Sequence, residues 1–272
     1  MSEGRTYSSY HLDDFQTCPR LWDLKKRWSE NNDGGHGVYL VLGSAVAAGL
    51  SILRRGQSLE EAEQAATKVL EQRADEVGSE WTQEGLLKHI LAAVKIGAET
   101  NLGLKTILSA DQKKYGHCRP DVVGRTHDGK LRIVDDKVKL KLDPKYIDET
   151  LSEFCRSNQL YEYAWEVGRF YNESVTSVGI NLIICTPRLR ALFYPINLKP
   201  DVLAKWAVSA QQDFDEMAAI EAGEVLPRLR WKSCTTRFNK PGTTEKALCV
   251  FHTACHELAG DESKMDALYE RR

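Results

Sequence analysis

Residues 119–139 read RPDVVGRTHDGKLRIVDDKVK, two strand-like runs on either side of a turn signal, His127-Asp128-Gly129. That pattern predicts a β-hairpin. With the three-residue loop 127–129, Thr126 faces Lys130 and Asp121 faces Asp135. Lys137, two residues on, projects from the same face, because strand side chains alternate. Opposed side chains of paired strands lie about 5 Å apart, close enough for two carboxylates to share one divalent cation. The ammonium then stands beside that cation, where it can position or activate a water. A two-residue loop would oppose Asp121 to Asp136 and turn Lys137 away, so the chemistry depends on register. The competing reading is a solvated polar face, the usual state of Asp and Lys near a hairpin turn.

The hairpin sits in an ordinary setting. The chain has 272 residues, 42% of them apolar and 28% charged, enough to bury the core of one large globular domain. The longest apolar run, Tyr39–Leu50, is broken by glycines and falls short of the ~20 residues of a membrane span. The opening residues lack the apolar core of a signal peptide, so a cytoplasmic protein with no membrane partner is expected. Net charge is −2, but between Lys113 and Lys145 ten Lys or Arg face five Asp. The candidate site is therefore locally basic, as suits a phosphodiester substrate, though a solvated lysine-rich hairpin would look the same.

Around the hairpin the chain reads as helices, then strands, then helix, strands and helix. Short helical pieces broken at Pro19 are expected over Tyr7–Trp28, and a buried helix from Gly43. A helix capped by Ser58, with Glu61 completing a capping box, should run to about Val77. Further helices are expected over 83–102, 152–171 and 200–223, and strands over 105–112, 117–126, 130–140, 175–185 and 189–198. This order argues a mixed central sheet flanked by helices, an α/β (α+β) domain spanning 1–272 with its catalytic core at 105–200.

Pro120-Asp121 followed by Asp135-Asp136-Lys137 resembles the signature of the PD-(D/E)XK nucleases, whose restriction-endonuclease-like fold is the sheet just described. Four further features, in order, are similar to the RecB-type branch that includes CRISPR-adaptation nucleases and iron–sulfur helicase-nucleases. They are the opening YSSYHLDDFQTCPRLWDLKKRW, the small-residue segment LGSAVAAGL at Leu42–Leu50, the Q-x-x-x-Y pattern at Gln159–Tyr163, and a cysteine-rich C-terminus. The resemblance implies a Mg²⁺- or Mn²⁺-dependent deoxyribonuclease acting on single-stranded DNA or duplex ends, with exonuclease action by analogy. Asp121, Asp135 and the backbone carbonyl of Asp136 would hold the cation. Lys137 would orient or deprotonate the water, and Gln159 and Tyr163, four apart on one helical face, would hold the substrate strand or buttress Lys137. A recombination, repair or CRISPR-adaptation protein is the partner class implied.

The chain departs from the pattern at a metal ligand, besides lacking an obvious Glu upstream of Asp121 and having Val138 where the family often has Thr. The branch carries a metal-binding histidine in its small-residue helix, and Ala47 occupies that place here. Mg²⁺ tolerates the loss because it keeps several waters, whereas Mn²⁺ gains more from imidazole. His36 and Glu99 are candidate replacements. A disabled nuclease fold that binds DNA or a protein partner is the alternative function.

Seven cysteines remain to be placed. Cys18, Cys234, Cys249 and Cys255 contain no C-x-x-C pair, which speaks against zinc, although His252 and His256 keep zinc open. The iron–sulfur branch holds a [4Fe–4S] cluster with one N-terminal and three C-terminal cysteines. The resemblance thus implies a cluster on these four, a staple joining 7–28 to 226–258. Cys118, Cys155 and Cys185 read as buried small apolar residues. Trp231, with Arg230, Lys232 and Arg237, is a candidate surface for stacking on a single strand.

Overall fold

The structure, a computed structural model, describes residues 7–30, 37–77, 82–111, 113–228, 238–239, 246–247, 249, 251, 255 and 269–271. Its elements in chain order begin with α1 (Ser9–Thr17), α2 (Pro19–Arg27), β1 (Trp28–Glu30), α3 (Gly37–Arg54), α4 (Leu59–Gln72) and α5 (Gln83–Glu99). Then follow β2 (Thr106–Ser109), β3 (Val122–Arg125), β4 (Leu131–Lys141), α6 (Ile147–Cys155) and α7 (Asn158–Tyr171). The last are β5 (Ser177–Thr186), β6 (Arg190–Asn197), α8 (Pro200–Glu221), β7 (Phe238–Asn239), β8 (Lys246–Ala247) and β9 (Tyr269–Arg271).

Two compact units divide these elements, residues 34–207 and residues 1–33 with 208–272. The first is built on a five-stranded mixed sheet, β2-β3-β4-β5-β6, in which only β4 and β5 run parallel. Alternation along the central strands decides what each face carries. Leu131, Ile133, Ile180, Leu182 and Ile184 pack under α6 and α7 with Leu160, Tyr163 and Val167. Leu140, Ile183 and Cys185 point the other way, into a core with α3, α4 and α5. The mixed α/β class expected from the order of elements is the one observed.

α3 is long and apolar enough to cross a membrane by length and composition. In this unit it is a core helix, with Val41, Leu42, Ala45, Val46 and Leu50 buried against α4 and α5. Glycine makes the close approach possible. A Cβ on Gly49 would stand 2.7 Å from Val94, and one on Gly97 would stand 2.6 Å from Ile183.

Several boundaries differ from the expected ones: α3 begins at Gly37 rather than Gly43, and the strands expected over 105–112 and 117–126 are the shorter β2 and β3. The single helix over 152–171 is two, because Ser157 leaves the helical conformation and accepts a hydrogen bond from the Gln159 N–H as the N-cap of α7. The helix after Ser58 stops at Gln72 rather than Val77, giving way to a 3-10 turn over Ala74–Glu76. Its capping box is present as expected, with Ser58 and Glu61 each satisfying the other's backbone N–H.

In the second unit α1 and α2 pack on each other, and β1 pairs with β9. Cys18, Leu21, Leu24 and Phe251 form a small core against which Cys249 and Cys255 also pack.

Candidate active site

The hairpin closes with a three-residue loop. Thr126 N–H donates to Lys130 O, and Gly129, at φ +83°, donates back to Thr126 O. A positive φ is a conformation that glycine adopts without steric cost. Val122 pairs with Val134, Val123 with Ile133 and Arg125 with Leu131. One residue further, the same register brings Asp121 beside Asp135. The Asp136 N–H confirms the approach by donating to Asp121 Oδ2 at 2.8 Å.

On the α7 face of β4 the polar groups form a chain. Asp135, 2% exposed, has Oδ2 in ion-pair contact with Lys137 Nζ at 2.7 Å. That oxygen receives no aligned hydrogen bond among the described residues. Lys137 Nζ donates to Gln159 Oε1 at 2.7 Å, and Gln159 Nε2 donates to Tyr163 Oη at 2.6 Å. An ammonium only donates, so Gln159 must turn its carbonyl to Lys137 and its amide nitrogen to Tyr163. α7 supplies both residues from one face, four apart. Asp121, Asp135, Lys137, Gln159 and Tyr163 thus converge from two strands and one helix.

Electrostatics follow from burial and crowding. Burial, then the charges of Asp136 and Asp135, push the Asp121 carboxyl well up, against the pull of the Asp136 N–H and Lys137. Burial also raises Asp135, with Lys137 opposing. Burial first, then Asp135 and Asp121, keep the Tyr163 phenol protonated far above its ordinary range. Two carboxylates facing each other in a low-dielectric site both prefer neutrality unless a cation joins them. Here Lys137 is the cation beside Asp135, and Asp121 and Asp135 are the two carboxylates that could hold a divalent metal ion.

Asp136 turns its side chain to the opposite face of β4. There the guanidinium of Arg54, the last residue of α3, grips the carboxylate with both terminal nitrogens, Nη2 at 2.8 Å from Oδ1. Asn181 of β5, paired with Asp136 across the parallel ladder, donates to the same Oδ1 at 2.8 Å. The Arg54 and Asp136 side chains are 5% and 3% exposed. Sequence reading overlooked Arg54, Asn181 and this role of Asp136. A lone Asn inside the apolar run VTSVGINLIIC was the available signal, since a buried amide needs a partner. Glu162 and Glu166, buried on α7, were also unforeseen.

The candidate replacements for the missing histidine do not assemble. Glu99 is exposed at the end of α5, and His36 lies outside the described residues. Ala47 is seven residues before Arg54, two helical turns away on nearly the same face. Among the described residues no group of three His, Cys, Asp or Glu side chains is placed to hold a metal ion. Of the four cysteines expected to bind a cluster, Cys18, Cys249 and Cys255 share one small core, and Cys234 lies outside the described residues. So do Arg230, Trp231, Lys232, Arg237, His252 and His256. Cys118 and Cys185 are buried as expected, while Cys155 is only half-buried.

No family model matches the chain, and no curated protein matches it. Solved structures do. One is the crystal structure described as a "Putative exonuclease" from Eubacterium rectale, which aligns over 86% of this chain and 91% of its own with a TM-score of 0.52. At 14% sequence identity the likeness is one of fold alone, a mixed five-stranded sheet flanked by helices.

Proposed function

We propose that this chain is a metal-dependent nuclease of the RecB-type, iron–sulfur branch, hydrolysing phosphodiester bonds of DNA as an exonuclease on single strands or duplex ends. The observation that carries this reading is the convergence of Asp121, Asp135, Lys137, Gln159 and Tyr163 on one face of the β3–β4 hairpin. The fold likeness to a nuclease-like architecture agrees with it.

Asp121, Asp135 and the carbonyl of Asp136 would hold Mg²⁺ or Mn²⁺. Such a cation, when bound, supplies Lewis-acid polarisation of a phosphate oxygen and a more acidic water. The protein's own groups do the rest. Lys137, held between Asp135 and Gln159, keeps its ammonium where negative charge gathers on the phosphate, and such fixed charges stabilise a transition state without reorganising. Gln159 locks the lysine rotamer. Tyr163, protonated throughout the physiological range, contributes a hydroxyl rather than a base.

In the second unit, Cys18, Cys249 and Cys255 share a core, which supports a [4Fe–4S] cluster completed by Cys234 as a structural staple; zinc is the alternative occupant. A second function keeps one observation of its own: Ala47 stands where the branch has histidine, and no third metal-ligating side chain joins Asp121 and Asp135 among the described residues. That favours a catalytically impaired nuclease fold binding DNA or a protein partner.

Cleavage of end-labelled single- and double-stranded DNA with Mg²⁺ or Mn²⁺ separates the two. The nuclease reading expects cleavage by the chain itself, reduced about 10²–10³-fold or more in Lys137→Ala with DNA binding retained. Cleavage appearing only in Ala47→His identifies a site disabled at one ligand. Full activity in Lys137→Ala, or no cleavage by either the chain or Ala47→His, overturns the nuclease reading.

A further inference from the structure

β4 continues past the site. Lys139 and Lys141 follow Lys137 at alternate positions, on the face that carries Asp135. Lys137 Nζ and Lys139 Nζ lie 5.5 and 5.4 Å from the centre of the Phe154 ring of α6, so two ammonium groups border one aromatic ring. Lys137 is neutralised by Asp135. Lys139 is half-buried, and no ion pair engages it among the described residues. Burial above all, with Glu153 opposing and Lys137 adding, holds its pKa below the ordinary lysine value. Taking a cation out of water without pairing it costs free energy, and an arriving anion removes that cost. Lys141 is exposed one step further along.

We propose that Lys139 and Lys141 form a track for successive phosphates of a single DNA strand, delivering the strand to Asp121, Asp135 and Lys137. The inference rests on the nuclease reading and adds a substrate-binding subsite to it. Alternate strand residues are about 6.6 Å apart, a step comparable with one nucleotide of an extended single strand, so neighbouring ammonium groups meet neighbouring phosphates.

The test uses the full chain in EDTA, so that nothing is cleaved. Fluorescence anisotropy of a labelled single strand of about 12 thymidines is measured across a range of KCl concentrations. Each phosphate contact to a single strand contributes roughly −0.7 to the slope of log K against log salt. Lys139→Gln is expected to flatten the slope by about 0.7 and the Lys139→Gln/Lys141→Gln double variant by about 1.4, with low-salt affinity down ~3–10-fold per lysine. Lys88→Gln, which alters an exposed pair with Glu84, leaves the slope unchanged. Lys139→Gln also melts no lower than the parent, because it removes an unpaired cation; a lysine with only a packing role would lower the melting temperature. Displacement of the strand by millimolar inorganic phosphate points to an isolated anion site and overturns the track. An unchanged slope in both variants, with a parent that cleaves in Mg²⁺ or Mn²⁺, overturns the track alone. A parent that neither binds nor cleaves overturns both the track and the nuclease reading.

Discussion

Asp121 is a carboxyl under electrostatic tension. Its carboxyl is pushed up by burial and by two neighbouring aspartates. A carboxyl whose folded pKa lies above its unfolded value stabilises the fold fully below the unfolded pKa, near 4, and loses that contribution as pH rises through the folded value. Without a divalent cation, Asp121→Asn should therefore match the parent near pH 4 and melt higher than it at pH 8. The difference expected is on the order of 2–4 °C, the shift that ~1 kcal/mol produces in a chain of this size. The asparagine keeps the oxygen that accepts from Asp136 N–H, so the comparison isolates charge. Saturating Mn²⁺ should raise the melting temperature of the parent at pH 8 and leave the variant unmoved, as linkage requires of a ligand that binds only the folded carboxylate pair. Scanning calorimetry at the two pH values, with chelator or Mn²⁺, gives both comparisons. Equal melting temperatures at every pH would mean that Asp121 is not held under this tension.

At the scale of elements, the Arg54–Asp136–Asn181 cluster ties α3 to β4 and β5 directly behind the candidate site. Both charges are almost wholly buried. Removing one member of such a pair leaves the other uncompensated and typically costs about 3–5 kcal/mol, whereas replacing both by apolar groups of similar volume is close to neutral. Arg54→Met should accordingly be severely destabilised in urea. Arg54→Met/Asp136→Leu should regain most of the loss, though Asn181, whose Oδ1 has no partner among the described residues, loses its acceptor and holds back about 1 kcal/mol. A double variant no better than the single would show that packing, and not charge pairing, sets the cost. The hairpin needs no such test to be read. Its Gly129 conformation and the Thr126–Lys130 pairing decide that Asp135 and Lys137 face α7 while Asp136 faces α3.

On the scale of the whole molecule, residues far apart in sequence meet within each unit. Cys18 shares a core with Cys249 and Cys255. If these thiolates hold an iron–sulfur cluster, Cys255→Ala purified anaerobically should be colourless and melt well below the parent, since the cross-link closes a very long loop. Iron and sulfide analysis with visible absorbance reads the outcome; a colourless parent with unchanged melting in the variant would remove the staple. How much of this was legible beforehand follows the range of the forces involved. Period-two alternation over 119–139, the turn residues 127–129 and the Ser58–Glu61 capping box are local, because strand pleat, turn geometry and helix capping act within a few residues. They made the hairpin legible and left two registers open, of which the structure has the three-residue loop that sets Asp121 beside Asp135. The Q-x-x-x-Y spacing likewise put Gln159 and Tyr163 on one helical face. Whether that face would meet the hairpin was not a local matter. The hydrogen bond from Lys137 to Gln159, the grip of Arg54 on Asp136 across 82 positions and the burial that raises the Asp121 and Asp135 carboxyls exist only once α3 and α7 have packed on opposite sides of β4. Burial and long-range pairing are properties of the packed sheet, so only the tertiary structure decided them.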